Sequence, residues 1–365
     1  MSTPKFHTLS VKHVKRETPE AVSVTFDVPA ALQADYQFTQ GQSIAIKHTI
    51  NGQEVRRSYS ICSSPLDGEL KVGIKQITNG VFSTYANTVL KAGDQLEVMT
   101  PTGHFYTELN VDNQKQYLGI AAGSGITPLM SIIKTTLIKE PKSQFTLVYG
   151  NRNTGSILFL EDLEALKNQF VDRFNVLYVL SQEAVDVAIL NGRIDAAKAQ
   201  MLTEQNLIQI QTIDEAFLCG PESMIMDLKA YLSDKGLSSK QIHFELFTSP
   251  STTQAANTSQ SQVQAQSDNQ GPSAKVSVKV DGLTYQIDLP YNGETILDAA
   301  LKKGADLPFA CKGGVCCTCR AKVTQGSASM DMNFSLEDDE VKKGYILTCQ
   351  AHPTSEEVFV DFDIK

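Results

Sequence analysis

Four cysteines near the C-terminal end of the chain have the spacing of an iron-sulfur site. Cys311, Cys316 and Cys319 are separated by four and two residues, and Cys349 follows thirty positions after the last of them. Four thiolates spaced in this way can bind the two irons of a 2Fe-2S cluster, which transfers single electrons. We predict that these four cysteines are the ligands and that Cys317, which stands between two of them, is not.

A zinc site, a disulfide framework and chance spacing compete with the cluster as the origin of this pattern. Structural zinc sites usually contain two C-x2-C pairs or histidine-containing pairs, and Cys349 has no such neighbour in the sequence. A disulfide framework fits poorly with seven cysteines in 365 residues and no export signal. Chance spacing is rare in a chain so poor in cysteine. The cluster therefore accounts for the pattern best.

Composition places the chain among globular proteins. It has 365 residues, 41% hydrophobic and 20% charged, which favours two or three domains. A net charge of -9 and a pI near 5.2 argue against nucleic acid or an anionic membrane as the main partner. The N-terminus shows no apolar signal segment, and no apolar run is long enough to span a bilayer. We therefore expect a cytoplasmic protein.

A polar segment, residues 249–274, divides the sequence. It consists mainly of Ser, Gln, Thr, Ala and Asn with two prolines, and it contains almost no charged or large apolar residues. A segment of this composition has too few apolar side chains to form a hydrophobic core, so we predict that it is a flexible linker. With a second boundary inside the first part, the predicted domains are 1–112, 113–248 and 275–365.

The first domain has short alternating apolar runs separated by glycine turns, which predicts an antiparallel β-barrel. An R-x-Y-S motif occupies 57–60, at the end of a predicted strand. Alone it is weak evidence, because Arg and Tyr on a half-buried strand are more often a surface cation and a packing aromatic. About twenty residues later, a G-x-x-S-T motif at 80–84 opens a predicted helix whose N-terminal amides could bind a phosphate.

The second domain contains an apolar strand, a glycine turn and a helix within 117–138. The turn reads Gly-Ser-Gly-Ile-Thr-Pro at 123–128, and strand-turn-helix is a geometry that binds nucleotides. Further strands alternate with helices as far as 235, which predicts a doubly wound parallel α/β sheet. A glycine turn alone is also compatible with a purely structural role.

The order of the two motifs at 57–60 and 80–84 resembles that in the ferredoxin-NADP reductase superfamily, and this resemblance implies a bound flavin. Arg57 would pair with the flavin pyrophosphate, Tyr59 would lie against the isoalloxazine ring, and Ser60 would sit near its N5 atom. Gly80 and Ser83 would hold the pyrophosphate. By the same resemblance, FAD is preferred over FMN.

The motifs of the second domain are similar to those of the pyridine-nucleotide domain in the same superfamily. The resemblance implies that the turn faces the dinucleotide, that the Cys-Gly-Pro at 219–221 approaches the nicotinamide, and that a terminal aromatic edge lies near the flavin. The residues concerned are Gly123, Gly125, Thr127, Pro128, Cys219, Gly220 and Phe247. Cys219 is equally well understood as a core residue at a strand end.

The choice of coenzyme stays open at this point. Gln182 follows Ser181 where superfamily members that bind a 2′-phosphate often carry arginine. Arg152 and Arg193 are the remaining candidate cations. We expect NADPH rather than NADH as the coenzyme, with Arg152 in contact with it.

Residues 275–365 resemble plant-type ferredoxins, which have an α+β (β-grasp) fold. Asp281-Gly282 predicts a hairpin turn, and Thr295 predicts the cap of a helix before the cysteine loop. Further motifs follow at Gly326, Met330-Asp331-x-Asn333, Leu336-Glu337, Gly344-Tyr345-x-Leu347-x-Cys349-Gln350 and Val360-Asp361-Phe362-Asp363. Together with the domain order, these motifs resemble those of the reductase components of phenylacetyl-CoA epoxidases.

This resemblance implies that electrons pass from NADPH or NADH through FAD and the 2Fe-2S cluster to the oxygenase component of a multisubunit di-iron epoxidase. Two alternatives stay open. The acceptor could instead be a desaturase or an aromatic-ring dioxygenase. The chain could also be a redox sensor or electron carrier without sustained turnover.

Overall fold

The computed structural model describes residues 4–247 and 272–364. The chain divides into two compact units, one formed by residues 7–247 and the other by the described parts of 1–6 and 248–365. Most of the predicted linker, 249–274, lies outside the described residues. Its last two residues already belong to a strand that begins at Ser273.

The first sheet is the predicted antiparallel barrel. Its strands are β1 (Phe6–Thr18), β2 (Ala21–Asp27), β3 (Ser43–Ile50), β4 (Gln53–Ser60), β5 (Leu70–Lys75) and β6 (Gln95–Met99). Their spatial order is β4-β3-β6-β1-β2-β5. A bridge between Ile61 and Val72 joins the two edges, so the sheet curls around a core of buried aliphatic side chains. Helix α1 (Val81–Thr88) packs against this barrel.

The second sheet is fully parallel. It contains β7 (Gln116–Ala122), β8 (Gln144–Asn151), β9 (Phe174–Leu180), β10 (Glu215–Cys219) and β11 (Ile242–Glu245), connected by α2 (Ile126–Lys139), α3 (Leu160–Gln169), α4 (Ala196–Glu204) and α5 (Glu222–Asp234). The strand order is β11-β10-β7-β8-β9. From β7 the chain first adds β8 and β9 on one side of β7, and then adds β10 and β11 on the other side. A ligand crevice is expected between β7 and β10, where the direction changes.

The ferredoxin-like unit has a mixed five-stranded sheet and a small two-stranded one. Its elements are β12 (Ser273–Val280), β13 (Leu283–Pro290), α6 (Ile296–Lys302), β14 (Arg320–Gln325), β15 (Ala328–Met330), α7 (Asp338–Lys342), β16 (Tyr345–Leu347), β17 (Ala351–Pro353) and β18 (Glu357–Asp361). The orders are β13-β12-β18-β14-β16 and β15-β17, with β12 and β18 parallel.

Two local predictions in this unit are confirmed. Asp281 and Gly282 join β12 to β13 with φ values of 47° and 77°, as a tight hairpin turn requires. The Thr295 hydroxyl accepts a hydrogen bond from the amide of Asp298 (3.2 Å) and so caps α6. All three predicted fold classes are present. No helix among the described residues is long and apolar enough to cross a membrane.

Candidate functional sites

The loop between α6 and β14 contains Cys311, Cys316 and Cys319, and Cys349, which follows β16, lies beside them. The thiols of Cys316 and Cys349 are within hydrogen-bonding reach of Cys311, and Cys349 also lies beside Cys319. The amide of Gly313 donates to Cys311 Sγ (3.3 Å). The neighbouring thiol of Cys316, then that of Cys349, and the loop amides together hold the pKa of Cys311 well below its usual range.

This arrangement fits a two-iron cluster. Cys311, Cys316, Cys319 and Cys349 would together supply the four thiolates that hold a 2Fe-2S cluster, which would transfer single electrons. Gly314 has a φ of 73°, and a Cβ there would lie 2.9 Å from the Met332 carbonyl oxygen.

Cys317 points away from the ligand group. The backbone at Cys316 is extended (φ -131°, ψ 110°), so adjacent side chains leave the chain on opposite sides. Cys317 Sγ donates to the carbonyl oxygen of Ser335 (3.0 Å), and burial raises its pKa to about 12. The Cys317 thiol is thus engaged with the carbonyl oxygen of Ser335, and the assignment of Cys317 as a non-ligand stays a prediction.

The predicted flavin residues Arg57 and Tyr59 lie on β4. Arg57 is exposed, and one arm of its guanidinium donates to the Arg56 carbonyl oxygen (2.7 Å). The fork can still bind a phosphate bidentately through its other nitrogens. The Tyr59 ring packs against Phe82 with 5.7 Å between ring centroids, and burial raises the pKa of Tyr59. This side of the barrel thus presents an aromatic wall beside a cation.

Gly80 and Ser83 form a rigid turn at the start of α1. A Cβ at Gly80 would lie 2.3 Å from Ser83 Oγ, so the turn leaves no room for a larger residue. The Ser83 hydroxyl donates to the Gly80 carbonyl oxygen (3.3 Å) and accepts from the amide of Ile77 (3.2 Å). In this structure Ser83 therefore shapes the turn, and the amides at the start of α1 remain the available phosphate donors.

Three polar residues meet where the barrel faces the parallel sheet. Ser60 Oγ donates to Glu245 Oε2 (2.8 Å), although the two residues are 185 positions apart. Glu245 is paired in register with Cys219 across β10 and β11. Burial raises the pKa of Glu245 to about 7, partly opposed by the Ser60 hydroxyl. Burial, and secondarily Glu245, raise the pKa of Cys219 well above its usual range.

Glu245 is absent from the sequence prediction, which included only Ser60, Cys219 and Phe247 in this region. The available signal was its place as the last residue of a strand, where ligands of α/β sheets collect. Phe247, two residues further on, is 40% exposed. A carboxyl that can hold a proton near neutral pH is a candidate proton carrier.

The glycine turn after β7 touches the turn after β10. A Cβ on Gly125 would lie 2.0 Å from the Cys219 carbonyl oxygen, and one on Gly220 would lie 2.5 Å from the Met224 methyl carbon. Gly123 has a φ of 55°. The two loops thus form the close crevice expected at this switch point.

Thr127 and Pro128 are placed differently from the glycines. Both are buried in the first turn of α2, and the Thr127 hydroxyl donates to the Ser124 carbonyl oxygen (3.0 Å). The Thr127 methyl group is directed at Gly73 of β5, where a Cβ would lie 2.7 Å from it. Thr127 therefore supports the turn and packs it against the barrel, and Pro128 is buried beside it.

Two cations stand beside the glycine turn. Arg152 pairs with Glu20, which lies between β1 and β2. Lys75 Nζ lies 3.6 Å from the position a Cβ would take on Gly123. Burial, then the charge of Arg152, lower the pKa of Lys75. Lys75 was missed by the sequence prediction, although a lysine that ends the apolar strand β5 was a signal. Arg193 is exposed.

Comparisons with known families match all three domains. Residues 8–106 match the oxidoreductase FAD-binding domain, 120–230 the oxidoreductase NAD-binding domain, and 278–354 the 2Fe-2S iron-sulfur cluster binding domain. Over 360 residues the chain is 48% identical to one of the subunits of 1,2-phenylacetyl-CoA epoxidase from Escherichia coli (strain K12), with 99% of this chain and 98% of the relative covered. The chain belongs to the family of that epoxidase component.

This chain also aligns over nearly its full length with the reductase component of another oxygenase. The ferredoxin reductase component of 3-ketosteroid-9-alpha-monooxygenase from Rhodococcus rhodochrous is 31% identical over 356 residues, covering 97% of this chain and 96% of the relative. The structure of phthalate dioxygenase reductase superposes with a TM-score of 0.56 at 20% identity, covering 98% of each chain, which supports the fold. The chain is thus an NAD(P)H-dependent oxidoreductase that uses FAD and a 2Fe-2S cluster.

Proposed function

We propose that this chain supplies electrons from NADPH to the oxygenase component of a phenylacetyl-CoA epoxidase, a multisubunit di-iron enzyme. The observation that carries the proposal is the end-to-end match to the epoxidase component of Escherichia coli, which includes the ferredoxin-like unit. When bound, the flavin accepts a hydride from the nicotinamide and releases electrons singly, and the cluster carries them onward. The chain's own residues must bind, orient and protect these groups.

Flavin binding rests on one face of the barrel. The guanidinium of Arg57 and the amides at the start of α1 bind the pyrophosphate, and the rigid Gly80–Ser83 turn fixes the direction of those amides. Tyr59 and Phe82 form an apolar wall that excludes water from the isoalloxazine ring.

Coenzyme binding rests on the crevice between β7 and β10. The turn at Gly123 and Gly125 lets the dinucleotide approach the backbone closely, and Gly220 does the same on the other side. Lys75 and Arg152 supply positive charge beside the turn for the phosphates. Arg193, after the end of β9, is the candidate contact for the 2′-phosphate of NADPH.

The Ser60, Cys219 and Glu245 group holds protons at the place where the two domains meet. Glu245 is protonated over much of the range below neutral pH, and the Ser60 hydroxyl fixes its carboxyl group at 2.8 Å. Cys219 stays a neutral thiol, so it adds an uncharged side chain next to the nicotinamide. The group provides a proton-holding site without a fixed negative charge at low pH.

The ferredoxin-like unit presents an acidic surface to its electron acceptor. Residues 275–365 contain ten Lys and Arg against fourteen Asp and Glu, which gives this part -4 of the total -9. Complementary charge speeds encounter with a basic partner and makes the encounter sensitive to salt. We propose transient docking of this kind on the oxygenase.

Reconstitution tests the proposal. This chain, NADPH, O2, phenylacetyl-CoA and the purified oxygenase component should together yield the ring epoxide, at a rate that falls as salt rises. An artificial acceptor measures reductase activity separately and would exclude a sensor without turnover. If no epoxide formed while a desaturase or an aromatic-ring dioxygenase turned over rapidly, the acceptor would be wrong and the reductase activity would stand.

The preference for NADPH over NADH is tested by comparing the KM values of arginine variants for the two coenzymes. Arg193→Ala should raise the KM for NADPH more than the KM for NADH, because only NADPH carries the 2′-phosphate. Arg152→Ala should raise both, since the pyrophosphate is common to the two coenzymes. Equal effects of Arg193→Ala on both coenzymes would remove Arg193 from the 2′-phosphate site.

A further inference from the structure

Asn151, the last residue of β8, has a buried carboxamide that forms no hydrogen bond of standard geometry with the other described residues. This holds for both its Nδ2 and its Oδ1, and the residue is 8% exposed. A carboxamide offers two donors and two acceptor lone pairs. Most buried polar side-chain atoms in proteins are paired, and each exception needs a physical reason.

The backbone of Asn151 does not account for the buried amide. Its carbonyl oxygen already accepts from the amide of Ser181 (3.0 Å) and from the Ser181 hydroxyl (3.3 Å). In the sheet it is paired with Leu180 of β9. The backbone hydrogen bonds of β8 are thus formed at this position, and they would form equally well with an apolar side chain at 151.

The position of Asn151 connects it to the glycine turn. Side chains two positions apart on a strand share a face, so Asn151 lies on the same side of β8 as Tyr149. The Tyr149 hydroxyl donates to the Gly123 carbonyl oxygen (2.9 Å). Burial raises the pKa of Tyr149, and a loose hydrogen-bonding interaction with the Asn151 carboxamide opposes that rise in part, so the phenol is the protein group that faces the amide. Asn151 therefore stands at the carboxyl edge of the sheet, behind the first glycine of the turn.

We propose that the Asn151 carboxamide binds the ribose-phosphate part of the pyridine nucleotide. This inference rests on the proposed function and adds a residue to its coenzyme site. The amide nitrogen donates to a phosphate or ribose oxygen, or the amide oxygen accepts from a ribose hydroxyl. Lys75 and Arg152, which lie beside the same glycine turn, neutralise the charge of the phosphates. The uncharged Asn151 carboxamide adds a hydrogen bond of defined direction.

The test uses the flavin-loaded full chain and Asn151→Leu, which keeps a similar shape without polar atoms. We expect the Kd for the oxidised coenzyme, measured from the flavin difference spectrum, to rise about tenfold because one ligand hydrogen bond is lost. The KM for the reduced coenzyme should rise in parallel, while kcat at saturation stays close to that of the wild type. The Tm without coenzyme should stay unchanged or rise, because an unpaired buried amide has been removed.

Asn168→Leu is the matched control, since Asn168 is an exposed amide on α3 of the same domain. It should leave the coenzyme Kd unchanged. Asn151→Ala is a second variant in case leucine prevents folding, and it should show the same loss of coenzyme affinity.

Two results would decide against the inference. An unchanged Kd in both Asn151 variants, with normal flavin reduction by the coenzyme, would overturn it and leave the proposed function intact. A large fall in Tm without coenzyme, again with unchanged Kd, would show that the amide serves the fold through a buried water and would overturn it too. A wild-type chain that neither binds nor is reduced by NADPH or NADH would overturn the proposed function itself.

Discussion

The cluster loop and the coenzyme crevice are built from the sequence in opposite ways. Three of the four cluster ligands lie within nine consecutive residues, and one loop with its glycines brings them together. The crevice instead joins Ser60, Gly125, Cys219 and Glu245, which come from strand ends across most of the larger unit. A local site depends on spacing, whereas a distributed site depends on the packing of two domains. Substitutions should therefore act differently in the two places.

The largest effect is expected in the cluster loop. Replacing Cys311, Cys316, Cys319 or Cys349 by Ser should impair or abolish the cluster, because each thiolate is one quarter of the ligand set. Cys317→Ser is the control inside the same loop and should keep the visible and spin-resonance signals. Iron and acid-labile sulfide per chain measure the outcome. An indispensable Cys317 would show that the ligand assignment is wrong.

Flavin binding should show the next largest effect. Arg57→Ala should weaken FAD binding by about 1.5 to 3 kcal/mol, because a pyrophosphate loses a charge-assisted bidentate contact. Arg57→Lys, which keeps the charge without the planar fork, should lose less. Titration of the flavin-free protein with FAD gives both dissociation constants. Unchanged FAD affinity in Arg57→Ala would place the pyrophosphate elsewhere.

Glu245 should give the larger unit a characteristic dependence on pH. Its folded pKa of about 7 lies above the value of 4.5 expected in the unfolded chain, so the folded state binds the proton more tightly. The resulting stabilisation is complete below about pH 4.5 and is lost as the pH rises through about 7. At pH 8.5 the wild type should be about 2 to 3 kcal/mol less stable relative to Glu245→Gln than at low pH.

Urea unfolding of the flavin-loaded chain, followed at pH 5 and pH 8.5, measures this difference. Glu97→Gln is a suitable control, because the Glu97 side chain is 47% exposed and bound to Lys47. Parallel pH dependence in the wild type and Glu245→Gln would show that the carboxyl group does not hold a proton in the folded state.

The smallest expected effect belongs to Lys75. Lys75→Ala should raise the KM for NADPH and NADH about fivefold, because one partly buried cation near the phosphates is lost. Lys167→Ala on α3 is a control on the same domain. If the KM values stayed unchanged while the Tm fell, Lys75 would stabilise the barrel and would not bind coenzyme.

Features that depend on neighbouring residues are visible in the sequence, and features that depend on contacts between distant residues are not. The cysteine spacing, the Asp281-Gly282 hairpin and the Thr295 cap depend on neighbouring residues, so the pattern alone predicted them. The alternation of strands and helices predicted the parallel sheet and its ligand edge. Glu245 and Lys75 were missed because their roles arise from contacts across domains. Glu245, the hydrogen-bond partner of Ser60, is 185 positions away in the sequence, and no periodic pattern in the sequence indicates such a contact.

The contact between Gly125 and the Cys219 carbonyl oxygen also limits how this sequence can vary. Gly125 has a φ of -59°, which every residue can adopt, so only steric contact restricts the position. A single methyl group, 2.0 Å from that oxygen, would push the β7 and β10 turns apart and widen the crevice. Gly155, whose nearest neighbour would be the flexible Asn153 side chain at 3.7 Å, has no such restriction. In a library of single substitutions selected for coenzyme turnover, position 125 should therefore remain glycine while position 155 accepts alanine.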